Sequence, residues 1–172
     1  MSLSGVRFPR HLEADYGPDA IRHALMDRTC RLWSGGALDI PLIAIKDPLK
    51  KALQAAMLKG RLRCGFEAIS HTLSNEKAGI AHVREQTDVP QGERISRLIL
   101  VSNDGAERLY RHVEQLLRSH APRVLGCLLD TDASTLGKLI SGKDRQIKLA
   151  MAEHKEAVSE ILRAILGGGQ SV

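Results

Sequence analysis

Aromatic residues are scarce in this chain: they make up 3% of its 172 residues, with a single tryptophan among them. An open sheet that recognises RNA by stacking needs exposed aromatic rings, and too few are present for that mode. The hydrophobic fraction of 43% is still sufficient for a packed core built from Leu, Ile, Val and Ala. Any contact with nucleic acid would therefore have to depend on charge and backbone geometry.

Cysteines are also few, and they are far apart. Cys30, Cys64 and Cys127 form no CxxC pair, so we expect reduced thiols and neither a disulfide framework nor a zinc site. No apolar run approaches the ~18 residues that a membrane helix requires, and the first residues lack a secretory signal. These absences predict a soluble intracellular protein, cytoplasmic or nuclear, with no membrane partner.

The charge balance is basic, whereas signatures of catalysis are missing. The chain has 25 Lys and Arg against 20 Asp and Glu, a net charge of +5, which favours a polyanionic partner. Residues Gly137 to Lys143 imitate a phosphate-binding P-loop, but Asp144 stands where that motif requires Ser or Thr. No Gly-x-Ser-x-Gly nucleophile motif occurs. We expect no enzyme activity, no cofactor and no bound metal.

Alternating helical and strand patterns indicate an α/β protein. The apolar runs Ile95–Val101 and Val124–Leu129 predict strands covered on both faces, and the alternating run Gln146–Met151 predicts a further strand. Amphipathic stretches between them predict helices. We expect a three-layer α/β/α sandwich with one mixed sheet of about four or five strands.

The chain divides into three parts by pattern. Residues 1–45 predict an accessory segment with one helix over Asp19–Trp33, residues 46–166 the main α/β domain, and residues 167–172 a flexible tail. Within the main domain, residues 74–94 are polar and predict a surface insertion whose middle, Gly79–Val83, would form an edge strand.

Three stretches of the main domain carry a resemblance to a known family. Residues 59–69 read KGRLRCGFEAI, residues 98–104 read LILVSND, and residues 136–140 read LGKLI. They resemble the kink-turn RNA-binding ribosomal protein superfamily, which includes protein subunits of nuclear RNase P/MRP. The extra sequence of residues 74–94 is similar to the divergent RNase P/MRP subunits. The resemblance implies an RNA-binding subunit of a ribonucleoprotein in tRNA or rRNA processing, with structured RNA and other protein subunits as partners.

The predicted RNA contacts centre on a basic strand and the start of the next helix. A helix N-terminus presents unpaired N–H groups to a phosphate, and a glycine lets the backbone approach closely. Two arginines separated by one residue project to the same side of a strand. The predicted RNA-binding residues are Lys59, Arg61, Arg63, Gly65, Phe66, Glu67 and His71.

Two alternatives remain open at this point. Glu67 and Ala68 occupy the positions where the family has an Asn-Glu pair, and Asp130 places acid where the family has an apolar loop. These departures favour a protein–protein interaction subunit of the same fold that does not bind RNA directly. A third reading is an enzyme with Mg²⁺ bound by Asp104, Asp130 and Asp132 at the strand ends, although helix caps and turns also explain these carboxylates.

Overall fold

The computed structural model describes residues 3–86 and 93–168, which form seven helices and six strands. The helices are α1 (Arg10–Tyr16), α2 (Pro18–Met26), α3 (Asp47–Leu58), α4 (Phe66–Gln86), α5 (Glu107–Ser119), α6 (Ala133–Ser141) and α7 (Lys155–Gly168). The strands are β1 (Thr29–Arg31), β2 (Asp39–Ile43), β3 (Leu62–Cys64), β4 (Arg97–Val101), β5 (Val124–Leu129) and β6 (Leu149–Ala152). None of the described helices is long and apolar enough to cross a lipid bilayer.

All six strands belong to one mixed sheet, in the order β1-β2-β5-β4-β6-β3. Strands β2, β5 and β4 run parallel, whereas β1, β6 and β3 are antiparallel to their neighbours. The central strands β4 and β5 are almost completely buried, as expected for strands covered on both faces. Their continuous apolar sequences are explained by this position.

Helices cover both faces of the sheet. On one face, α4 and α5 pack their apolar sides against residues such as Ile99 and Met151. The other five helices pack on the opposite face around Leu98 and Leu100. The predicted three-layer α/β/α sandwich is confirmed, but its sheet has six strands where four or five were expected.

Strands β1 and β2 come from the N-terminal segment, which was predicted to be an accessory with one helix. The segment instead has two helices, α1 and α2, followed by β1 and β2. Strand β2 pairs with β5 through Leu42 and Leu128, and the side chains of Phe8 and Leu12 are completely buried in the main core. The prediction was wrong because α2 ends at Met26, and the strands that follow are too short for periodicity to reveal.

The segment that follows β3 also differs from expectation. The predicted edge strand Gly79–Val83 is helical, because α4 continues to Gln86. The rest of the predicted insertion includes residues 87–92, which lie outside the described part of the chain, as do residues 169–172 of the predicted tail. Before that point Gly168 still belongs to α7, and its carbonyl accepts a hydrogen bond from Lys46 Nζ at 2.6 Å.

Candidate nucleic-acid interface

Gly65 connects β3 to α4 at the protein surface. Its φ of +95° is rarely adopted by residues with a side chain, and the position of a Cβ there would have no atom within 4 Å. Its N–H donates to Leu149 O at 3.0 Å, and its carbonyl accepts from Ile69 N at 3.1 Å. The glycine therefore starts α4 beside the first residue of β6, with its exposed side unobstructed.

An open cavity of about 390 Å³ lies at this start of α4. It is lined by residues 64–66, residues 145–149 and Leu109. Arg145 and Lys148 are both exposed, and neither side chain forms a hydrogen bond or ion pair with another described residue. The first turn of any helix also presents unpaired N–H groups and the positive end of the dipole. The cavity combines a helix N-terminus with two unpaired cations.

The Cys64 thiol at the end of β3 is affected by the positive charge of Arg145. Desolvation raises the pKa of the Cys64 thiol, whereas the positive charge of Arg145 acts in the opposite direction. The guanidinium of Arg145 is thus near enough to the end of β3 to act on a group beside Gly65.

Gly137 fixes the loop that carries the two cations. A Cβ on Gly137 would lie 1.5 Å from the carbonyl oxygen of Arg145, so α6 and the loop touch backbone to backbone. A further bond joins Ile147 N to Ala133 O at 3.0 Å, and the Ile147 side chain is buried. The Leu-Gly pair at residues 136–137 therefore holds the loop before β6 against the sandwich, next to Gly65.

The predicted basic residues before Gly65 are paired with carboxylates. Arg63 makes a two-pronged bond to Glu153, with distances of 2.6 and 3.2 Å. Arg61 lies 2.9 Å from Glu156. These ion pairs raise the pKa of Arg63 and lower that of Glu156. Lys59 Nζ completes the row, at 4.0 Å from a carboxylate oxygen of Glu160.

This row of ion pairs lies towards the end of β6 that is far from Gly65. Strand β3 is antiparallel to β6, so Leu62 pairs with Ala152 whereas Gly65 bonds to Leu149. Glu153 follows Ala152 and draws the Arg63 side chain towards that far end. Arg61 and Arg63 are therefore not brought to the tip of α4, and their charges are matched within the protein.

The remaining predicted residues divide between the tip and the flank of α4. The Phe66 ring lines the cavity and packs against His112, with ring centroids 5.5 Å apart. Glu67 is exposed in the first helical turn. His71 is a full turn further along, where its Nε2 lies 3.2 Å from Asn75 Nδ2. Their assignment to RNA binding stays a prediction.

The carboxylates considered for Mg²⁺ act in caps and turns. Asp132 caps α6 by accepting from Thr135 N at 2.6 Å, and this bond lowers the Asp132 pKa. Asp104 was predicted to cap the helix that follows β4, but α5 has Ala106 at its N-cap and no side-chain cap bond. Asp104 instead accepts from Ala133 N at the start of α6, at 3.0 Å. Asp130 accepts from the amide of Asn103. Across the described ranges, no group of three or more His, Cys, Asp or Glu is arranged to hold a metal ion.

Sequence reasoning missed Arg145 and Lys148, although a signal for them exists. Both belong to the basic run KDRQIK, residues 143–148, directly before β6. An antiparallel pairing of that strand with β3 would have predicted their position beside Gly65. Without the pairing, Lys143 and Asp144 were compared with the P-loop pattern, and Lys148 was assigned only to a predicted strand.

Comparisons with other proteins provide little further information on this site. No protein-family model and no curated protein matches the chain. Among solved structures, the chain is similar to a protein of unknown function from Bacillus halodurans, with 13% identity and a TM-score of 0.49. That match covers 70% of this chain and 97% of the other.

Proposed function

We propose that the protein binds RNA through the open N-terminus of α4, as a subunit of a ribonucleoprotein. One observation carries the proposal: Gly65 starts an exposed helix in the same cavity that contains the unpaired cations Arg145 and Lys148. A backbone phosphate would find helix N–H donors, a guanidinium and an ammonium there.

Each part of the cavity suits a sugar–phosphate backbone. The N–H groups of a first helical turn bind anions without a Cβ in the way, because glycine precedes them. Arg145 can bond two phosphate oxygens at once, whereas Lys148 offers a point charge. A structured RNA with a sharp bend would present neighbouring phosphates to a cavity of this size, about 390 Å³. The basic net charge of +5 would guide its approach.

The paired residues Arg61 and Arg63 have a different role in this proposal. To contact phosphate, Arg63 would have to give up its two bonds to Glu153. We therefore assign Arg61 and Arg63 to holding β3 beside β6, and assign the direct contacts to the tip of α4.

The test is a salt series of RNA-binding measurements by fluorescence anisotropy. The probes are a duplex with a kink-turn internal loop, a continuous duplex of the same length and a single strand. Replacing Arg145 and Lys148 by Ala removes two cations, which should weaken binding by about tenfold to a hundredfold. The slope of log K against log salt should become shallower by about 1.5, because two phosphate contacts are lost.

The matched control removes two cations from the other face of the sheet. Lys50 and Lys51 are exposed on α3, so their replacement by Ala makes the same change in net charge. This control should weaken binding only slightly, through the general field of the protein. Equal losses for the two double variants would contradict the assignment of the α4 tip, and no binding of any probe would contradict RNA binding itself.

A second candidate is a protein-interaction subunit that does not bind RNA directly. The paired row supports it, because Arg61 and Arg63 are already neutralised by Glu156 and Glu153. Leu58, 88% exposed beside this row, would offer an apolar contact. Protein purified at low salt without ultraviolet-absorbing nucleic acid, which binds none of the RNA probes, would favour this candidate.

A further inference from the structure

A groove between α4 and α5 contains a second concentration of positive charge. One cavity of about 540 Å³ lies between the two helices, and a second of about 360 Å³ continues past the end of α5. Both are lined by Lys77, Ser119 and His120. Lys77 is twelve residues beyond Gly65, about 18 Å along the helix at 1.5 Å per residue. Lys77 therefore lies well away from the tip of α4, although Phe66 lines both the larger cavity of the groove and the cavity at the tip.

The charges in this region do not balance. Glu76 is shared by two arginines: its Oε1 accepts from Arg97 at 2.9 Å and its Oε2 from Arg123 at 2.7 Å. The Arg123 side chain is 10% exposed and lines the second cavity. Lys77 adds a third cation, and its ammonium bonds only to the neutral carbonyl of Ser119 among described residues. Two arginines thus share one carboxylate in a partly buried place, and Lys77 adds a cation that bonds to no carboxylate among the described residues.

His120 contributes an imidazole ring to both cavities. It is 8% exposed, and its ring makes no hydrogen bond with any described residue although it lines both cavities. Burial lowers the pKa of His120, and the positive charges of Lys77 and Arg123 lower it further against the opposing effect of Glu76. The uncharged ring can donate from one nitrogen and accept at the other.

Little negative charge faces His120 among the described residues. With Glu76 already engaged by two arginines, no described carboxylate other than Glu76 acts on the His120 ring. An anion would therefore relieve the excess positive charge and supply the missing partner for the imidazole.

We propose that Lys77, His120 and Arg123 form a binding site for a phosphoryl group in the groove between α4 and α5. A phosphoryl group suits the site better than a carboxylate, because its charge approaches two and its oxygens can accept from several directions. The cavities are larger than one phosphoryl group, so the ligand would be a phosphorylated molecule. Its source is either a free phosphorylated metabolite or a backbone phosphate of a bound RNA.

The test follows the His120 ring by nitrogen-detected NMR in a buffer without phosphate. Titration with pyrophosphate should raise the pKa of His120 by about one unit, because a nearby anion favours the imidazolium. Chloride at the same ionic strength should not. Lys77→Gln should weaken pyrophosphate binding by about tenfold, since it removes a charge-assisted hydrogen bond. Lys51→Gln on the opposite face is the matched control.

Two results would overturn this site. One is an unchanged His120 resonance at millimolar pyrophosphate, and the other is equal weakening by Lys77→Gln and Lys51→Gln. The double replacement of Arg145 and Lys148 by Ala should leave pyrophosphate binding intact, so a failure of RNA binding at the α4 tip is distinguishable from a failure here. A short RNA that moves the His120 resonance in the natural protein but not in that variant would identify RNA as the source. A shift caused by nucleoside monophosphates in both would identify a small molecule.

Discussion

Removing the carboxylate of Glu114 should destabilise the protein more than removing any exposed acid of the same helix. Glu114 is 6% exposed on α5 and receives three hydrogen bonds from the loop between β1 and β2. Trp33 Nε1 donates at 2.6 Å, Ala37 N at 2.7 Å and Leu38 N at 2.8 Å. One side chain thus fastens the N-terminal strand pair to α5.

The expected loss in the free energy of unfolding follows from the three donors that Glu114→Ala would leave without an acceptor. An unsatisfied buried donor costs about 1–3 kcal/mol, and hydrogen bonds to a charged acceptor lie at the upper end of the range. The loop is near the surface, so water can replace part of the loss. We expect the free energy of unfolding to fall by about 3 kcal/mol. Glu114→Gln keeps one acceptor oxygen but turns an NH₂ towards a donor, and should cost about 2 kcal/mol.

Urea unfolding measured by far-UV circular dichroism tests this prediction, and Glu107→Ala is its control. Glu107 belongs to the same helix, where it pairs with Arg111 at an exposed position, and its removal should cost less than about 1 kcal/mol. Fluorescence of Trp33, the single tryptophan, should change in the Glu114 variant because the indole loses its partner. Equal destabilisation by the two alanine substitutions, or unchanged tryptophan emission, would refute the reasoning.

The same contact has a pH dependence with a defined sign. Burial alone would raise the pKa of Glu114, but the bonds from Ala37, Leu38 and Trp33 together lower it. A carboxyl whose pKa is lower in the folded state stabilises the fold above its unfolded pKa of about 4.3. This stabilisation is lost as the pH falls from there through the folded pKa. The Glu114→Gln variant should lack that part of the acid sensitivity.

Three other predictions follow from the contacts. Gly137→Ala places a Cβ 1.5 Å from Arg145 O, so the free energy of unfolding from thermal melts should fall by about 3 kcal/mol, and RNA binding should weaken. Unchanged stability and unchanged RNA binding would contradict the backbone contact. Glu76→Gln leaves Arg123 without its carboxylate and should cost about 2 kcal/mol at neutral pH. Because the pKa of Glu76 is lowered in the folded protein, this difference from the natural protein should narrow as the pH falls from the unfolded pKa of about 4.3 through the lower folded pKa. Burial raises the pKa of Cys127 to about 12, so Cys127 should react last of the three cysteines with iodoacetamide at pH 8, as followed by mass spectrometry. Early labelling of Cys127 would show local opening.

The central strands were predictable because their burial is expressed in consecutive residues. The apolar run Val124–Leu129 coincides with β5, and Ile95–Val101 contains β4. Both strands are enclosed by helices on two faces, so almost every side chain in them is apolar. A local sequence pattern is sufficient to predict a strand when nearly every residue of that strand is buried.

The N-terminal strands were not predictable by the same means. Strand β1 has three residues, of which Thr29 and Arg31 are exposed. Strand β2 is defined by parallel pairing with β5, in which Leu42 lies opposite Leu128 more than eighty residues away. Partners at that separation leave no trace in local periodicity. The polar second half of α4 was misread for a related reason, since its helical state is supported by bonds from Arg97 and Arg123 to Glu76.

The candidate site was predictable at its glycine and not at its charges. Gly65 follows an alternating strand and precedes a helical pattern, which predicted a helix start, and the structure places an exposed positive-φ turn there. The ion partners of Arg61 and Arg63 come from Glu156 and Glu153, at least ninety residues further along the chain. A sequence shows where cations are, but only the fold shows which of them are already paired.

The salt dependence of RNA binding should show how many cations contact phosphate, and therefore whether the ion-paired arginines take part. If Arg61 and Arg63 gripped the backbone as well as Arg145 and Lys148, four cations would each release counterions, and the slope would be about −3. If the two ion-paired arginines contribute nothing, the slope should be about −1.5 for a ligand held at the tip of α4 alone. For Arg63 and Arg61 to contact phosphate, their bonds of 2.6 and 2.9 Å to glutamate carboxylates would have to break. Those carboxylates would remain nearby and repel the phosphate. The energetically easier arrangement is contact at Gly65, because the side chains of Arg145 and Lys148 have no partner to lose among residues 3–86 and 93–168.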